Sequence, residues 1–462
     1  MSVHVIVLAA GEGKRMMSDL PKVAHLVGGR TLIGWVLEAV RPLRPTSTVV
    51  VIGHGAGQVR SGLAQDVVVA VQEEQLGTGH AAQVGLDAIP SFDPGDTVVV
   101  LYGDMPLLTP GLIADLADLS SGAAARMVTA DLDDPSGYGR VVRDAEGQVI
   151  GVVEDRDCTN EQRLVAEINA GVYAFRAGAL AESLQGVSND NAQGEYYLTD
   201  VVEILVDKGD KLESVKTSAE EVMGINSQDQ LSEARKALQQ RINQRLMESG
   251  VWMLDPDRTY VDDTVHVEPG ARIYPGVHLE GSTSVAADAQ IGPDVYAVDS
   301  SIGRGSTVWY SVLRSANVGE ECEVGPYASL RPGSVLKDGA KAGTFVETKN
   351  TTLGEGAKAP HLAYLGDATV GARSNIGAGT VTCNYDGHEK HLTEIGEDVF
   401  IGSDTMLVAP VKIGDNAVTG AGSVITEDVS KGALAVERSE QIEIPGYADS
   451  REARKASTES ED

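Results

Sequence analysis

The rhythm of apolar and polar positions changes twice along this chain. Up to about residue 226, short apolar runs alternate with helical patterns. "VHVIVLA" at 3–9, "STVVVIG" at 47–53 and "DTVVVLYGD" at 96–104 read as buried strands, since their apolar residues are nearly continuous. "LIGWVLEAV" at 32–40 and "GTGHAAQVGLDAI" at 77–89 read as helices between them. This alternation predicts a mostly parallel sheet covered on both faces, an α/β domain over residues 1–226. Residues 227–250 carry Leu231, Ala234, Leu238, Ile242 and Leu246 on one helical stripe, with Gly250 as the C-terminal cap. Such a helix extends roughly 35 Å, enough to hold two domains apart.

From Val261 the period becomes six. Val261, Val267, Ile273, Leu279, Val285 and Ile291 keep it, and Ile302 and Val308 resume it. Val318, Val324 and Leu330 follow, then Ile395, Ile401, Leu407, Ile413, Thr419 and Ile425. A solvated strand alternates every two residues and an amphipathic helix repeats near 3.6, so neither fits. Three six-residue units make one triangular coil, and stacked coils bury a continuous apolar column. A parallel β-helix over 251–446 is therefore expected. Its long flank is the kind of surface that a symmetric assembly covers. Residues 447–462, polar and charged, are expected to form a disordered tail.

Composition narrows the partners. Lys and Arg number 37 against 68 Asp and Glu, a net charge of -31. That argues against binding nucleic acid or an anionic membrane surface in bulk, while a local basic pocket stays possible. Cys158, Cys322 and Cys383 are too few and too scattered for a disulfide framework or a four-ligand zinc site. Cys383, His388 and His391 lie close together, but their spacing matches no strong zinc signature. With no secretory signature and no apolar run of membrane-spanning length, the chain reads as cytoplasmic, with no integral membrane association.

The first candidate chemistry lies in "LAAGEGKRM" at 8–16, a glycine-rich turn directly after a strand. Gly11 and Gly13 permit close backbone approach, and Lys14 and Arg15 are cations for phosphate oxygens. The turn is neither a P-loop nor a dinucleotide fingerprint, and alone it is as readily structural. "LPK" at 20–22 adds a cation, and "YGDMP" at 102–106 puts Asp104 at a strand end, where ligands of open sheets bind. Asp104 alone could equally cap a helix. Together these groups favour nucleotide chemistry with a metal-capable carboxylate.

"LAAGEGKRM…LPK", "QLGTGH", "YGD", "GYGR" and "EINAG", in this order and spacing, resemble the bacterial N-acetylglucosamine-1-phosphate uridyltransferases. The period-six half resembles the glucosamine-1-phosphate acetyltransferase fused to them in one bifunctional enzyme family. The resemblance covers roughly residues 3–446. It implies a Rossmann-like nucleotidyltransferase domain joined by a long helix to a left-handed parallel β-helix of hexapeptide repeats, working as a homotrimer through the β-helix. UTP and acetyl-CoA are the implied substrates and Mg²⁺ the implied cofactor. By motif position, Leu8, Gly11, Arg15, Lys22, Gln72, Gly77 and Thr78 are implied to hold UTP and its phosphates. Asp104 and Asn226 are implied to hold Mg²⁺, and Gly139, Glu154, Asn169 and again Asn226 the sugar phosphate.

The same resemblance assigns the second site. His361 is the implied base and Glu347 its orienting partner. Arg331, Lys349, Tyr364 and Asn375 are implied sugar-phosphate contacts. Ala378, Asn384, Tyr385, Ser403, Ala421 and Arg438 are implied to surround acetyl-CoA, with a backbone N–H near Ala378 for the oxyanion. The "CNYDG" stretch is expected to leave the regular coils. The implied activity is acetylation of glucosamine-1-phosphate, then coupling of N-acetylglucosamine-1-phosphate to UTP. Two alternatives stay open: transfer to a different sugar-1-phosphate with a degraded acyltransferase half, and a non-catalytic trimeric scaffold.

Overall fold

The computed structural model describes every residue except Glu12, His54, Gly55, Ala64, Gln65 and 459–462. The chain forms two compact units, Met1–Arg245 with Val261–Thr264, and Leu246–Tyr260 with Val265–Asp462. Among the described residues, no helix is long and apolar enough to cross a membrane.

The first unit is built on a twisted sheet. Its strands run in the spatial order Leu212–Thr217, Ala125–Asp131, Glu167–Arg176, Thr97–Tyr102, Val3–Ala9, Ser47–Ile52, Val68–Val71. Val3–Ala9 pairs in parallel with Ser47–Ile52 and Thr97–Tyr102, so the three expected strands are neighbours. Glu167–Arg176 runs antiparallel to both of its neighbours. Two apolar layers flank the sheet, one containing Val5, Val7, Ile33 and Val36, the other Ile6, Val51, Ala82 and Leu86. Alternate residues of one strand thus point to opposite layers, which explains why this strand reads as an unbroken apolar run. The helices Leu32–Val40 and Thr78–Asp87 supply those layers as their patterns require.

The helix Gln228–Glu248 does not stand free as a spacer. Leu231, Ala234 and Leu238 pack with Met16, Val27, Leu32, Leu107 and Ile225 in a third apolar cluster. The stripe was legible, but its partner is this unit's own surface. The segment Val261–Thr264 belongs to the same unit, and there Asp263 pairs with Arg30 and Arg245.

In the second unit, strands of two to seven residues stack in parallel into three ladders. One is an 11-stranded sheet, and the other two share a 17-stranded sheet. All of the six-period positions named above are buried, from Val261 at 1% to Ile425 at 5% exposure. Shortening any of the fully buried Leu or Ile residues to Ala would cost about 2–5 kcal/mol. The pattern slips where a coil is short. Arg272 pairs with Gln290, but Gln290 pairs with Thr307 and Thr307 with Glu323, intervals one and two residues shorter. Between Asn375 and Phe400 the interval is seven residues longer than between Phe400 and Val418. The excess is the expected excursion after "CNYDG". Beyond the coils, Tyr447–Thr458 forms a helix, exposed over 447–455, where the sequence reading expected disorder. Ala, Glu, Arg and Lys favour helix locally even where there is no core to join. Residues 459–462 of that tail lie outside the described residues.

Candidate active sites

A cavity of about 520 Å³ opens at the C-terminal ends of the parallel strands in the first unit. Leu8, Gly11, Lys22, Gln72, Gly77, Thr78 and Asp104 all line it. Six of these seven were assigned to UTP or its phosphates from the sequence, and Asp104 to the metal.

Backbone geometry explains several of the motif glycines. Gly13 has φ +64°, and a Cβ there would sit 2.7 Å from Lys22 Cβ, so the turn closes directly over the lysine. Gly77 has φ +111°, and a Cβ there would meet Tyr196 O at 2.5 Å. The neighbouring Gly79 N–H donates to that same oxygen at 2.7 Å, and Leu198 N–H donates to Thr78 Oγ1 at 3.1 Å. "LGTG" is thereby tied to "EYYLT". Gln72, only 3% exposed, donates from Nε2 to Gly77 O at 3.2 Å. Arg15 is exposed beside this pocket's loop, while the side chain of Lys14 and all of Glu12 lie outside the described residues.

Lys22 is the centre of the site. Its Nζ donates to Asp104 Oδ2 at 2.5 Å and to Asn226 Oδ1 at 3.0 Å. Ile225 N–H donates to Asp104 O at 2.9 Å, which holds the Asn226 loop against the strand end. One cation therefore already reaches both oxygens assigned to Mg²⁺. A carboxylate and an amide oxygen are hard donors, and so short a protein ligand set suits Mg²⁺, which keeps water and substrate phosphate ligands. The donor set fits that ion. Among the described residues, no group of three or more His, Cys, Asp or Glu is placed to hold a metal.

The three remaining sugar residues also converge. Asn169 N–H donates to Gly139 O at 2.8 Å, and a Cβ on Gly139 would lie 3.6 Å from Glu154 Oε1. Burial pushes the Glu154 carboxyl up, opposed by the hydroxyl of Thr199, which donates to it at 3.2 Å. Sequence reasoning did not single out Tyr102, Gln75 or Glu195, which also line the cavity. Tyr102 had a signal in Gly171 of "EINAG". There φ is +75°, and a Cβ would lie 2.1 Å from the Tyr102 ring. Burial, then Glu154 and Asp104, push the Tyr102 phenol far above its ordinary value.

The β-helix gathers its residues by register. Ser329 pairs with Glu347, Glu347 with Tyr364, and Tyr364 with Val381. Two residues further along each strand, this stacks Arg331, Lys349 and Gly366 on the same face. Gly366 is needed there, since a Cβ would lie 2.4 Å from Tyr364 Oη and 2.8 Å from Asn384 Nδ2. Ala378, Ser403 and Ala421 form a second column at one corner of successive coils. Asp404 N–H donates to Ala378 O, Gly422 N–H to Ser403 O, and Arg438 to Ala421 O at 3.0 Å.

No hydrogen bond or ion pair joins Glu347 to His361 within this chain. The Glu347 carboxylate accepts from Arg331 at 2.7 Å, and the register explains why. His361 pairs with Thr344 in the 11-stranded sheet, while Glu347 belongs to the 17-stranded one. His361 and Asn375 share that first ladder, and His361 is exposed, lining a cavity of about 310 Å³ with Trp309 and Thr344. A residue the sequence reading missed is Lys390. Its close approach and charge, with a smaller contribution from Arg331, hold the Lys349 ammonium below its usual range. Nothing in "DGHEKHL" announces this, because the excursion's hairpin alone brings Lys390 back to the coils.

An exposed ladder climbs the corner beside His361. Tyr310, Tyr327, Phe345 and Leu362 all have φ between 45° and 60°. Left-handed backbone is uncommon in bulky residues. The three aromatic rings adjoin in turn, Tyr310 and Tyr327 tilted with centroids 5.6 Å apart and Tyr327 and Phe345 stacked at 5.3 Å.

Comparison with known proteins agrees with both halves. Residues 5–192 match the MobA-like NTP transferase domain, and residues 392–427 match the bacterial transferase hexapeptide (six repeats). Parallel coils of such repeats accord with a left-handed β-helix. "Bifunctional protein GlmU" of Caldanaerobacter subterraneus subsp. tengcongensis is 45% identical over 96% of this chain and 97% of its own. The proteins of that name from Streptomyces avermitilis and Kineococcus radiotolerans are each 48% identical over 96% of this chain, and over 93% and 91% of theirs.

Proposed function

The chain belongs to the bifunctional GlmU family, and from that premise we propose how its two sites divide the work. It acetylates glucosamine-1-phosphate with acetyl-CoA. It then couples N-acetylglucosamine-1-phosphate to UTP, giving UDP-N-acetylglucosamine and pyrophosphate.

At the uridyl site, Gln72, Gly77 and Thr78 take the uracil end of UTP. The glycine turn with Leu8, Gly11, Arg15 and Lys22 takes the phosphates. Gly139, Glu154, Asn169 and Asn226 orient the sugar phosphate so that its oxygen attacks the α-phosphorus. Asp104 and Asn226 would hold Mg²⁺, which supplies charge neutralisation on the phosphate oxygens. Lys22 stabilises charge developing on the transferred phosphate, and positioning of the two anions does the rest, with no protein nucleophile. The observation that carries this reading is the meeting of Lys22, Asp104 and Asn226 at one point of the cavity.

At the acetyl site, Arg331, Lys349 and Lys390 bind the phosphate, and Tyr364 and Asn375 the sugar. His361 takes the proton as the amine attacks the thioester carbonyl. Ala378, Asn384, Tyr385, Ser403, Ala421 and Arg438 hold acetyl-CoA, with the N–H near Ala378 facing the oxyanion. Glu347 acts here through Arg331, whose guanidinium it fixes. A homotrimer supports this arrangement, because His361 and the ladder Tyr310–Tyr327–Phe345–Leu362 share an exposed corner that a second copy would cover. The compartment that supplies both UTP and acetyl-CoA is the cytoplasm.

The test supplies purified protein with Mg²⁺, glucosamine-1-phosphate, acetyl-CoA and UTP, then resolves the sugar products by mass. UDP-N-acetylglucosamine with released CoA and pyrophosphate supports the reading. Absence of product from both glucosamine-1-phosphate and supplied N-acetylglucosamine-1-phosphate contradicts it.

A further inference from the structure

The excursion 384–391 carries Lys390, yet no apolar core holds it: Tyr385 and 386–390 are exposed. What shapes it is Asp386. That carboxylate accepts from His388 N–H at 2.8 Å and Glu389 N–H at 2.7 Å, and pairs with His391 Nε2 at 2.7 Å. Asp386 N–H donates in turn to Glu389 O at 3.2 Å, and His391 N–H to Asn384 O at 2.8 Å. These two bonds make Tyr385 and Lys390 an antiparallel bridge pair. Glu389 and His391, the two chain neighbours of Lys390, are thus both fastened to one carboxylate.

We propose that Asp386 and His391 form a latch that positions Lys390 over Lys349, so that the closed hairpin completes the phosphate cradle of the acetyl site. The proposal rests on the reading of the Arg331–Lys349 face as the sugar-phosphate site. Two ammonium groups and a guanidinium do not gather unaided. Asp367 offsets part of their charge, held by Asn350 at 2.8 Å and by Asn384. The rest of the repulsion falls on the hairpin, which must hold Lys390 in place before ligand arrives. A phosphate dianion then relieves it, so the cradle favours ligand over empty site. Three donors, led by His391, hold the Asp386 carboxyl far below the usual carboxylate range, so it stays ionised wherever the enzyme works.

Asp386 and His391 are positioning residues, and the test must separate latch from scaffold. Full-length His391→Ala, His391→Gln, Lys390→Ala, Lys349→Ala and the double variant H391A/K390A are assayed for acetyl transfer. Circular dichroism melts of the same preparations report folding. For His391→Ala the KM for glucosamine-1-phosphate rises about tenfold, with kcat and the KM for acetyl-CoA within about twofold. His391→Gln, which keeps an N–H donor toward Asp386, restores the KM to within about threefold of wild type. The double variant is no worse than Lys390→Ala, because the latch acts only through that lysine. If Lys349→Ala raises the KM but His391→Ala does not, or the double variant is additive, the latch is overturned. If Lys349→Ala also leaves the KM unchanged, the sugar-phosphate reading of this face fails and the latch falls with it.

Discussion

Lys22 and Lys349 are the two ammonium groups we propose for phosphate binding, yet they rest in opposite company. Lys22 sits inside a cavity, 15% exposed, against Asp104. Lys349 sits on an open face against Lys390 and Arg331. In the first case charge is already compensated, and substrates must exchange partners with a carboxylate. In the second the cations repel, and on the proposed reading the ligand supplies the missing countercharge. The folds explain the difference. A doubly wound sheet makes a pocket from loops of one unit, whereas a β-helix offers only faces and corners. A β-helix site must be completed by an excursion, such as 384–391, or by a neighbouring copy.

The sharpest way to break this comparison is to silence one side at a time. His361→Ala is expected to lower acetyl transfer about 10²–10⁴-fold while leaving uridyl transfer intact. Lys22→Ala should do the reverse, lowering uridyl transfer about 10²–10³-fold. Steady-state rates with each half-reaction's own substrates check both.

Assembly is the next lever. Tyr327→Lys places a charge within the stacked ladder, and sedimentation is expected to show smaller species. Acetyl transfer should fall about tenfold or more, in step with dissociation, while uridyl transfer stays within about twofold of wild type. Equal loss of both activities would remove the contrast between an enclosed site and a shared one.

The smallest effect concerns Asp200. Burial, then the carboxylates of Glu203, Glu154 and Asp157, push its carboxyl up to about 6. A raised folded-state pKa means that the folded protein holds the proton more tightly. The stabilisation is full below the ordinary carboxylate value and is lost as pH rises through about 6. Asp200→Asn should therefore raise stability by about 1 kcal/mol at pH 8, a figure reduced for partial exposure, with little difference at pH 4. Denaturant melts at both pH values measure it.

The sequence revealed what repeats and what is local. Val261 through Ile425 announced their coil core because each inward position recurs. Gly13 marked a tight turn that the structure requires, while a Cβ on Gly11 would meet nothing within 4 Å. What stayed hidden depends on register. Glu347 and His361 are close in sequence, but a coil corner sends them to different sheets, so the carboxylate meets Arg331. Lys390 lies about two coils' worth of chain from Lys349, and the excursion's hairpin is what brings it back. The helix Gln228–Glu248 showed its apolar stripe but not that Met16, Val27 and Leu107 cover it. Nor did the polar composition of 447–458 reveal a helix, since no core betrays it.

The central claim is that two sites on separate compact units perform consecutive steps. The direct measurement gives each of the variants Lys22→Ala and His361→Ala glucosamine-1-phosphate, acetyl-CoA, UTP and Mg²⁺, and follows sugar products by mass. The account predicts that Lys22→Ala accumulates N-acetylglucosamine-1-phosphate and that His361→Ala forms almost no product until this intermediate is supplied. It is contradicted if Lys22→Ala also loses acetylation, or if His361→Ala still makes UDP-N-acetylglucosamine from glucosamine-1-phosphate at the wild-type rate.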